Sequence, residues 1–294
     1  MIDLKHQDKP GHSFEAFGSH AKYWTYGDPK LPTIIVIHGF RGTHHGLLSI
    51  IKYLPKYHVV VPDLPGFGDS TPMTTQPHNM LGYARFIREL IHHLKLDPVI
   101  LLGHSMGTTV AAELVALDPA IATHLILINP IAEHPLKSQT GPQIALGGLH
   151  LKIGAQWLPE KIGLVWLSHS WPIMLASATM TKTRDKQLRR WIHANHLTYM
   201  KRFHNRHTLF EVYRASVEHT VTAHAANITI PTLLIAGRVD AIAPIKGQRK
   251  LAAAIAGAQL IEFDNVGHII HYEKAREAAA AINDFLPPPA TPAV

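Results

Sequence analysis

Gly103-His104-Ser105-Met106-Gly107 stands between an apolar run at 99–102 and the helical pattern Met106–Leu117, and it decides how the rest of this 294-residue chain is read. Glycine-x-serine-x-glycine alone recurs by chance. Between a strand and a helix it describes a turn so tight that the serine is held in a strained backbone conformation, which only small neighbours tolerate. Ser105 Oγ is then expected above the carboxyl edge of its strand, at a helix N-terminus, where free amides and the helix dipole favour a developing anion.

Outward from this turn, short β-branched or leucine-rich runs recur at Thr33–Ile37, His58–Pro62, 125–128, 232–236 and Gln259–Phe263. They are apolar on both faces, as in buried parallel strands. Helical spacing separates them: 79–94 places Leu81, Ala84, Ile87, Leu90, Ile91 and Leu94 three and four apart, and 243–255 and 272–286 read likewise. Strand and helix in alternation predict a doubly wound, mostly parallel α/β sheet, with 13–17 and 22–26 as an antiparallel hairpin at its edge. The alternation stops after Asn129-Pro130 and resumes at Pro231. The expected division is a core of 1–131 and 227–294, interrupted after the sixth strand by a helical insertion at 132–226.

The chain has 28 Lys and Arg against 21 Asp and Glu, a net charge of +7, with 46% hydrophobic and 17% charged residues. That balance excludes a wholly disordered chain or a coiled coil. The absence of cysteine excludes disulfides, thiolate metal sites, iron–sulfur clusters and a cysteine nucleophile. The whole excess of +7 lies in 132–226, and the remainder of the chain is balanced. His193/His196 and His204/His207 fall at i,i+3 but lack a third ligand, so no metal is expected. No recognition module accompanies the basic residues, so nucleic acid is not expected either. A solvated basic face is the default, and an anionic surface or an acidic substrate group are the alternatives. The N-terminus, Met1-Ile2-Asp3-Leu4-Lys5-His6, has no apolar h-region, which predicts no signal peptide and a cytoplasmic location. Pro287 to Pro292 reads as a frayed end.

A serine nucleophile needs a base and an orienting acid. Asp240 follows the strand at 232–236, in Gly237-Arg238-Val239-Asp240, and His268 follows the last strand, in Gly267-His268. Both sit where loops at the carboxyl edge would bring them to Ser105; His271, three residues on, is the rival base. Two backbone donors are expected for an oxyanion: the Met106 N–H, and the Phe40 N–H from His38-Gly39-Phe40-Arg41-Gly42. His38, Gly39, Arg41, His104, Ile242 and Ile269 are candidate substrate contacts beside them. Residues 162–181 carry no Asp, Glu, Lys or Arg, the length of a membrane span. One crossing there would part Ser105 from Asp240 and His268, so no span is expected. Its Trp166, Trp171 and Met174, with Trp157, Leu175 and Met180, would form an apolar wall over Ser105, with packing inside the insertion as the alternative for each.

With these residues in place, the chain resembles the α/β-hydrolase fold proteins that carry a cap. His38-Gly39, Asp63-Leu64-Pro65-Gly66-Phe67-Gly68-Asp69-Ser70, the turn at 103–107, Asp240 with Pro244, and Gly267-His268 stand in that family's order. The resemblance covers 20–130 and 228–286, and the insertion matches by position only. It implies a cap at 132–226 and hydrolysis through an acyl-enzyme, with neither metal nor organic cofactor. The expected substrate is a small-molecule carboxylic ester, lipophilic and of small to medium size. Epoxide hydrolases and haloalkane dehalogenases place Asp where Ser105 stands, and the Gly-Gly-Ser-Trp-Gly of proline iminopeptidases is absent. Carbon–carbon bond hydrolases of ring-cleavage diketones share the cap and Gly-His-Ser-Met-Gly. They usually have Trp shortly after the histidine, where Ile269-Ile270-His271 stand here; they are the alternative. A non-catalytic ligand-binding protein is the reading from another class.

Overall fold

Alternation along single strands builds two cores. In β3 (Thr33–Ile37) every residue is buried; Ile35 and Ile37 pack to one side, Ile34 and Val36 to the other. The computed structural model describes residues 11–137 and 141–287; Met1 to His6 and Pro288 to Pro292, read above from sequence, lie outside them. Beside β3 run β4 (His58–Pro62), β5 (Val99–His104), β6 (Ala122–Ile128), β7 (Thr232–Gly237) and β8 (Gln259–Phe263), all parallel. The hairpin of β1 (His12–Ala16) and β2 (Ser19–Tyr26) joins antiparallel, giving the order β1-β2-β4-β3-β5-β6-β7-β8. The last strand departs from expectation: as an edge paired only with β7 it is half-exposed rather than buried on both faces.

On one face, α2 (Met80–Leu94) and α3 (Met106–Leu117) bury Tyr83, Phe86, Ile87 and Val110 against Leu101. On the other, α1 (His44–Ile51) and a C-terminal helix bury Leu47, Ile50 and Ile282 against Val59. The sequence pattern did not anticipate α1. The single helix expected at 272–286 is broken at Lys274 into α10 (Ile270–Glu273) and α11 (Ala275–Phe285), and the 243–255 pattern gives α9 (Ile245–Ala254).

Between β6 and β7 the insertion is helical: α4 (Gly141–Lys152), a π turn Ile153–Trp157, α5 (Glu160–Leu167), α6 (Ser170–Met180), α7 (Lys186–Tyr199) and α8 (Arg206–Glu218). Asp185 and Asn205 cap α7 and α8 through side-chain oxygens that accept backbone N–H groups. The uncharged run at 162–181 is split at Ser168-His169 into helices of 8 and 11 residues, where a span needs about 20. No helix among the described residues is long and apolar enough to cross a membrane. The insertion is fastened to the core. Phe67 and Phe203 form a β-bridge, Arg202 pairs with Asp69, and Leu151, Leu167, Leu209 and Val212 share a cluster with Leu101 and Val110.

Candidate active site

At the end of β5 the chain turns through Ser105 with φ 54° and ψ −123°, a left-handed conformation that costs a non-glycine residue energy. The neighbouring glycines are required by space. A Cβ on Gly103 would meet the Gly107 carbonyl oxygen at 2.4 Å, and one on Gly107 would meet the Ile37 oxygen at 2.2 Å. The turn is held by the Ser105 N–H, which donates to the Ile128 oxygen, and by Thr108, whose hydroxyl donates to the Ser105 oxygen.

Three loops at the carboxyl edge converge here. Ser105 Oγ lies 2.7 Å from His268 Nε2, and His268 Nδ1 donates to Asp240 Oδ2 at 2.8 Å. The other Asp240 oxygen, Oδ1, accepts the Ile242 and Ala243 amides at 2.8 and 3.0 Å. Burial alone would raise the Asp240 carboxyl; His268 and the two amides outweigh it and hold its pKa below the usual value. Asn129, with φ 49°, completes the set: its Nδ2 donates to Asp240 Oδ2 at 2.9 Å and to the Gly267 oxygen at 3.0 Å. Sequence reasoning missed it. The available signal was a polar residue directly after a strand of buried aliphatic residues.

His271 does not reach Ser105. It is buried, 4.0 Å from the His104 ring, and burial followed by its histidine neighbours drives its pKa well below normal. Of the expected oxyanion donors, Met106 follows Ser105 directly and Phe40 follows Gly39, and among the described residues neither amide has an acceptor. A Cβ on Gly39 would lie 3.1 Å from that of Ser105, so the Gly39 backbone approaches the serine closely.

Several expected substrate contacts are engaged elsewhere. His38 is buried, its Nδ1 donating to the Gly39 oxygen and its Nε2 accepting the Leu64 N–H, so it shapes the loop. Arg41 reaches into the insertion, donating to the Met200 and Leu167 carbonyls and covering the Phe203 ring at 5.4 Å. Burial lowers its pKa to about 10. Ile269 packs with Ile192 and Tyr272, while Ile242 is half-buried beside Asp240. Trp157, Trp166, Trp171 and Leu175 are exposed to solvent, and Met174 is half-buried. Outside the site, His193 and His196 both bond Ser177 Oγ at 2.6 Å, and no group of three ligands among the described residues is arranged for a metal.

His104 acts through its neighbour. Its Nε2–H donates to the His268 carbonyl at 3.0 Å, and burial, then repulsion from His268, lowers its pKa to about 3, so the ring is neutral at neutral pH. His104→Phe keeps the ring and removes the donor. A neutral hydrogen bond contributes about 1 kcal/mol. Steady-state kinetics should therefore show kcat down about five- to tenfold with KM nearly unchanged, and His104→Gln should restore most of the loss. An equal effect on KM would place His104 against substrate instead.

The sequence profile described as serine aminopeptidase, S33 (Hydrolase_4) matches residues 28–275. Monoacylglycerol lipase ABHD6 of Homo sapiens is 29% identical over 263 residues, covering 87% of this chain and 75% of that protein. The uncharacterized hydrolase YugF of Bacillus subtilis is 23% identical over 286 residues, 94% of this chain and 98% of its own length. Among solved structures, the esterase EaEST from Exiguobacterium antarcticum gives a TM-score of 0.76 at 19% identity, covering 94% of this chain and 98% of that one. That likeness is one of fold.

Proposed function

This chain belongs to the serine aminopeptidase, S33 (Hydrolase_4) family of α/β-hydrolase-fold proteins, and from that premise we propose that it cleaves lipophilic carboxylic esters through an acyl-enzyme. Ser105 Oγ attacks the ester carbonyl as His268 Nε2 takes its proton, and Asp240 holds the ring in the tautomer that accepts it. The Phe40 and Met106 amides receive the oxyanion. His268 returns the proton to the departing alcohol and then activates water for deacylation. No step calls for a metal or an organic cofactor. The observation that carries this reading is the unbroken Ser105–His268–Asp240 chain of hydrogen bonds at 2.7 and 2.8 Å, ending on a strained serine.

An ester is favoured over a free aminopeptide by the carboxylates. An aminopeptidase must hold a substrate ammonium, yet both buried carboxylates among the described residues are taken. Asp240 accepts four donors, and Asp63 accepts the His44 amide and ring and the Asp69 amide. Lipophilicity is supported by the monoacylglycerol lipase relatives and by Phe40, which is packed on Phe67 and Tyr213 at 6.2 and 6.0 Å. In this reading 132–226 is the cap of a core formed by 1–131 and 227–294.

The test is a series of aryl esters from acetate to laurate, run beside a ring-cleavage dienoate. Specificity constants should rise with acyl length to an optimum at medium chains, with no turnover of the dienoate. Cleavage of the dienoate alone would replace ester with carbon–carbon hydrolysis.

A further inference from the structure

Apolar stripes face solvent along three consecutive helices of the insertion. Leu146 and Leu149 are exposed on α4, Ile162, Val165 and Trp166 on α5, and Trp171 and Leu175 on α6, each set at the three- and four-residue spacing of one helix face. Trp157, 61% exposed, lies in the turn between the first two. Apart from Leu117 and Val239, every large hydrophobic side chain exposed among the described residues lies in the insertion. The first two stripes are joined: Trp166 stacks on His150 of α4 at 5.0 Å and donates its indole N–H to the His150 carbonyl, and α6 follows α5 after Ser168-His169.

Cations fringe this face. Lys152 Nζ sits over the Trp157 ring at 5.5 Å, Lys161 is exposed on α5, and Lys201 Nζ bonds Ser170 Oγ where α6 begins. Among the described residues only Arg202 and Arg214 of the insertion's cations pair with a carboxylate, so most of its charge is uncompensated. Exposed tryptophan and leucine ringed by lysine is the composition of a surface that meets a membrane interface.

We propose that this face docks on an anionic lipid bilayer surface, its tryptophans and aliphatic side chains entering the headgroup boundary and its lysines meeting lipid phosphates. A second copy of the chain is the poorer occupant. An isologous contact would set one net-positive insertion against its twin, whereas an anionic bilayer supplies the opposite charge. The proposal deepens the ester reading and rests on it for purpose, since a lipophilic ester is held in the bilayer, but the contact itself needs no catalysis.

The test is flotation of the full chain, wild type and Ser105→Ala, with phosphatidylcholine vesicles with and without phosphatidylglycerol. Recovery with the anionic vesicles should exceed that with phosphatidylcholine alone by about tenfold and should fall as salt rises. Trp157→Ser/Val165→Ser/Leu175→Ser and, separately, Lys152→Glu/Lys161→Glu should each lose about tenfold in recovery. Both should keep the unfolding midpoint and the turnover of a short soluble aryl ester, because all five side chains face solvent. Equal recovery with and without anionic lipid overturns the proposal, as does undiminished flotation of the apolar triple variant. A wild-type dimer by sedimentation velocity that the triple variant splits would assign the face to a second copy. Flotation as expected with no ester turnover by wild type would refute the ester reading and leave the docking intact.

Discussion

Ser105→Ala is expected to lower kcat/KM for a short activated aryl ester by about four orders of magnitude or more, while the circular dichroism spectrum stays that of wild type. The substitution removes one oxygen, whose hydrogen bond is to His268 Nε2. The backbone of the turn is untouched: the Ser105 N–H still donates to the Ile128 oxygen, and Thr108 still holds the Ser105 carbonyl. Alanine also keeps the Cβ, so the strain at φ 54° is unchanged and no stability is recovered. Glycine differs on that point alone. Ser105→Gly should be equally inactive but more stable by about 1 kcal/mol, the scale of a left-handed conformation imposed on a non-glycine residue. Retention of more than about a hundredth of wild-type turnover by either variant, against the loss expected for a nucleophile, would remove Ser105 from that role. An unchanged midpoint in Ser105→Gly would mean that the turn stores no strain.

The parts of the fold that were legible in the sequence are those set by local pattern. Runs such as Thr33–Ile37 and His58–Pro62 are buried on both faces, and the pattern of 79–94 became α2 with Asn79 as its cap. Helix α1 was not legible because it opens His44-His45-Gly46, which has neither strong propensity nor an apolar stripe. Tertiary contacts hold it: Asp63 accepts the His44 N–H and ring, and Trp24 stacks on that ring at 3.3 Å. The edge position of β8 was invisible for a related reason, since a strand's exposure depends on which neighbours it lacks. At the site, chain order pointed to Asp240 and His268. Asn129 stood out in the sequence only as a polar residue after a strand; its role emerges once β6 is seen between β5 and β7, which brings its amide to Asp240. Arg41 read as a pocket residue, but its partners, Leu167 and Met200, are fixed by how the insertion docks. The exposure of Trp166 was not legible because α5 is apolar on both sides. Gly163 and Leu167 turn inward while Ile162, Val165 and Trp166 turn out, and composition alone does not say which side is buried.

Asp240→Asn should cost about four orders of magnitude in kcat with KM little altered, and it should also destabilise the fold by about 2 kcal/mol. A carboxylate to carboxamide change is often mild, but here every neighbour is a donor. Oδ1 accepts the Ile242 and Ala243 amides, and Oδ2 accepts His268 Nδ1–H and Asn129 Nδ2–H. Whichever way the amide is flipped, its NH2 faces two donors. If it faces the loop, two backbone N–H groups lose their acceptor inside the protein. If it faces His268, the ring must turn or change tautomer, and Nε2 no longer accepts the Ser105 proton. The stability loss carries a pH signature. The folded Asp240 pKa is depressed, because His268 and the amides together outweigh burial. Such a carboxylate stabilises the fold above its unfolded pKa, about 3.9, and that contribution disappears as pH falls through the lower folded value. The stability gap between wild type and variant, measured by urea unfolding, should therefore be constant above about pH 5 and close below about pH 4. A gap that persists undiminished into acid would mean that the buried group is already protonated at neutral pH. In that case Asp240 could not stabilise an imidazolium on His268, and the proton transfer assigned to that histidine would lack its counter-charge.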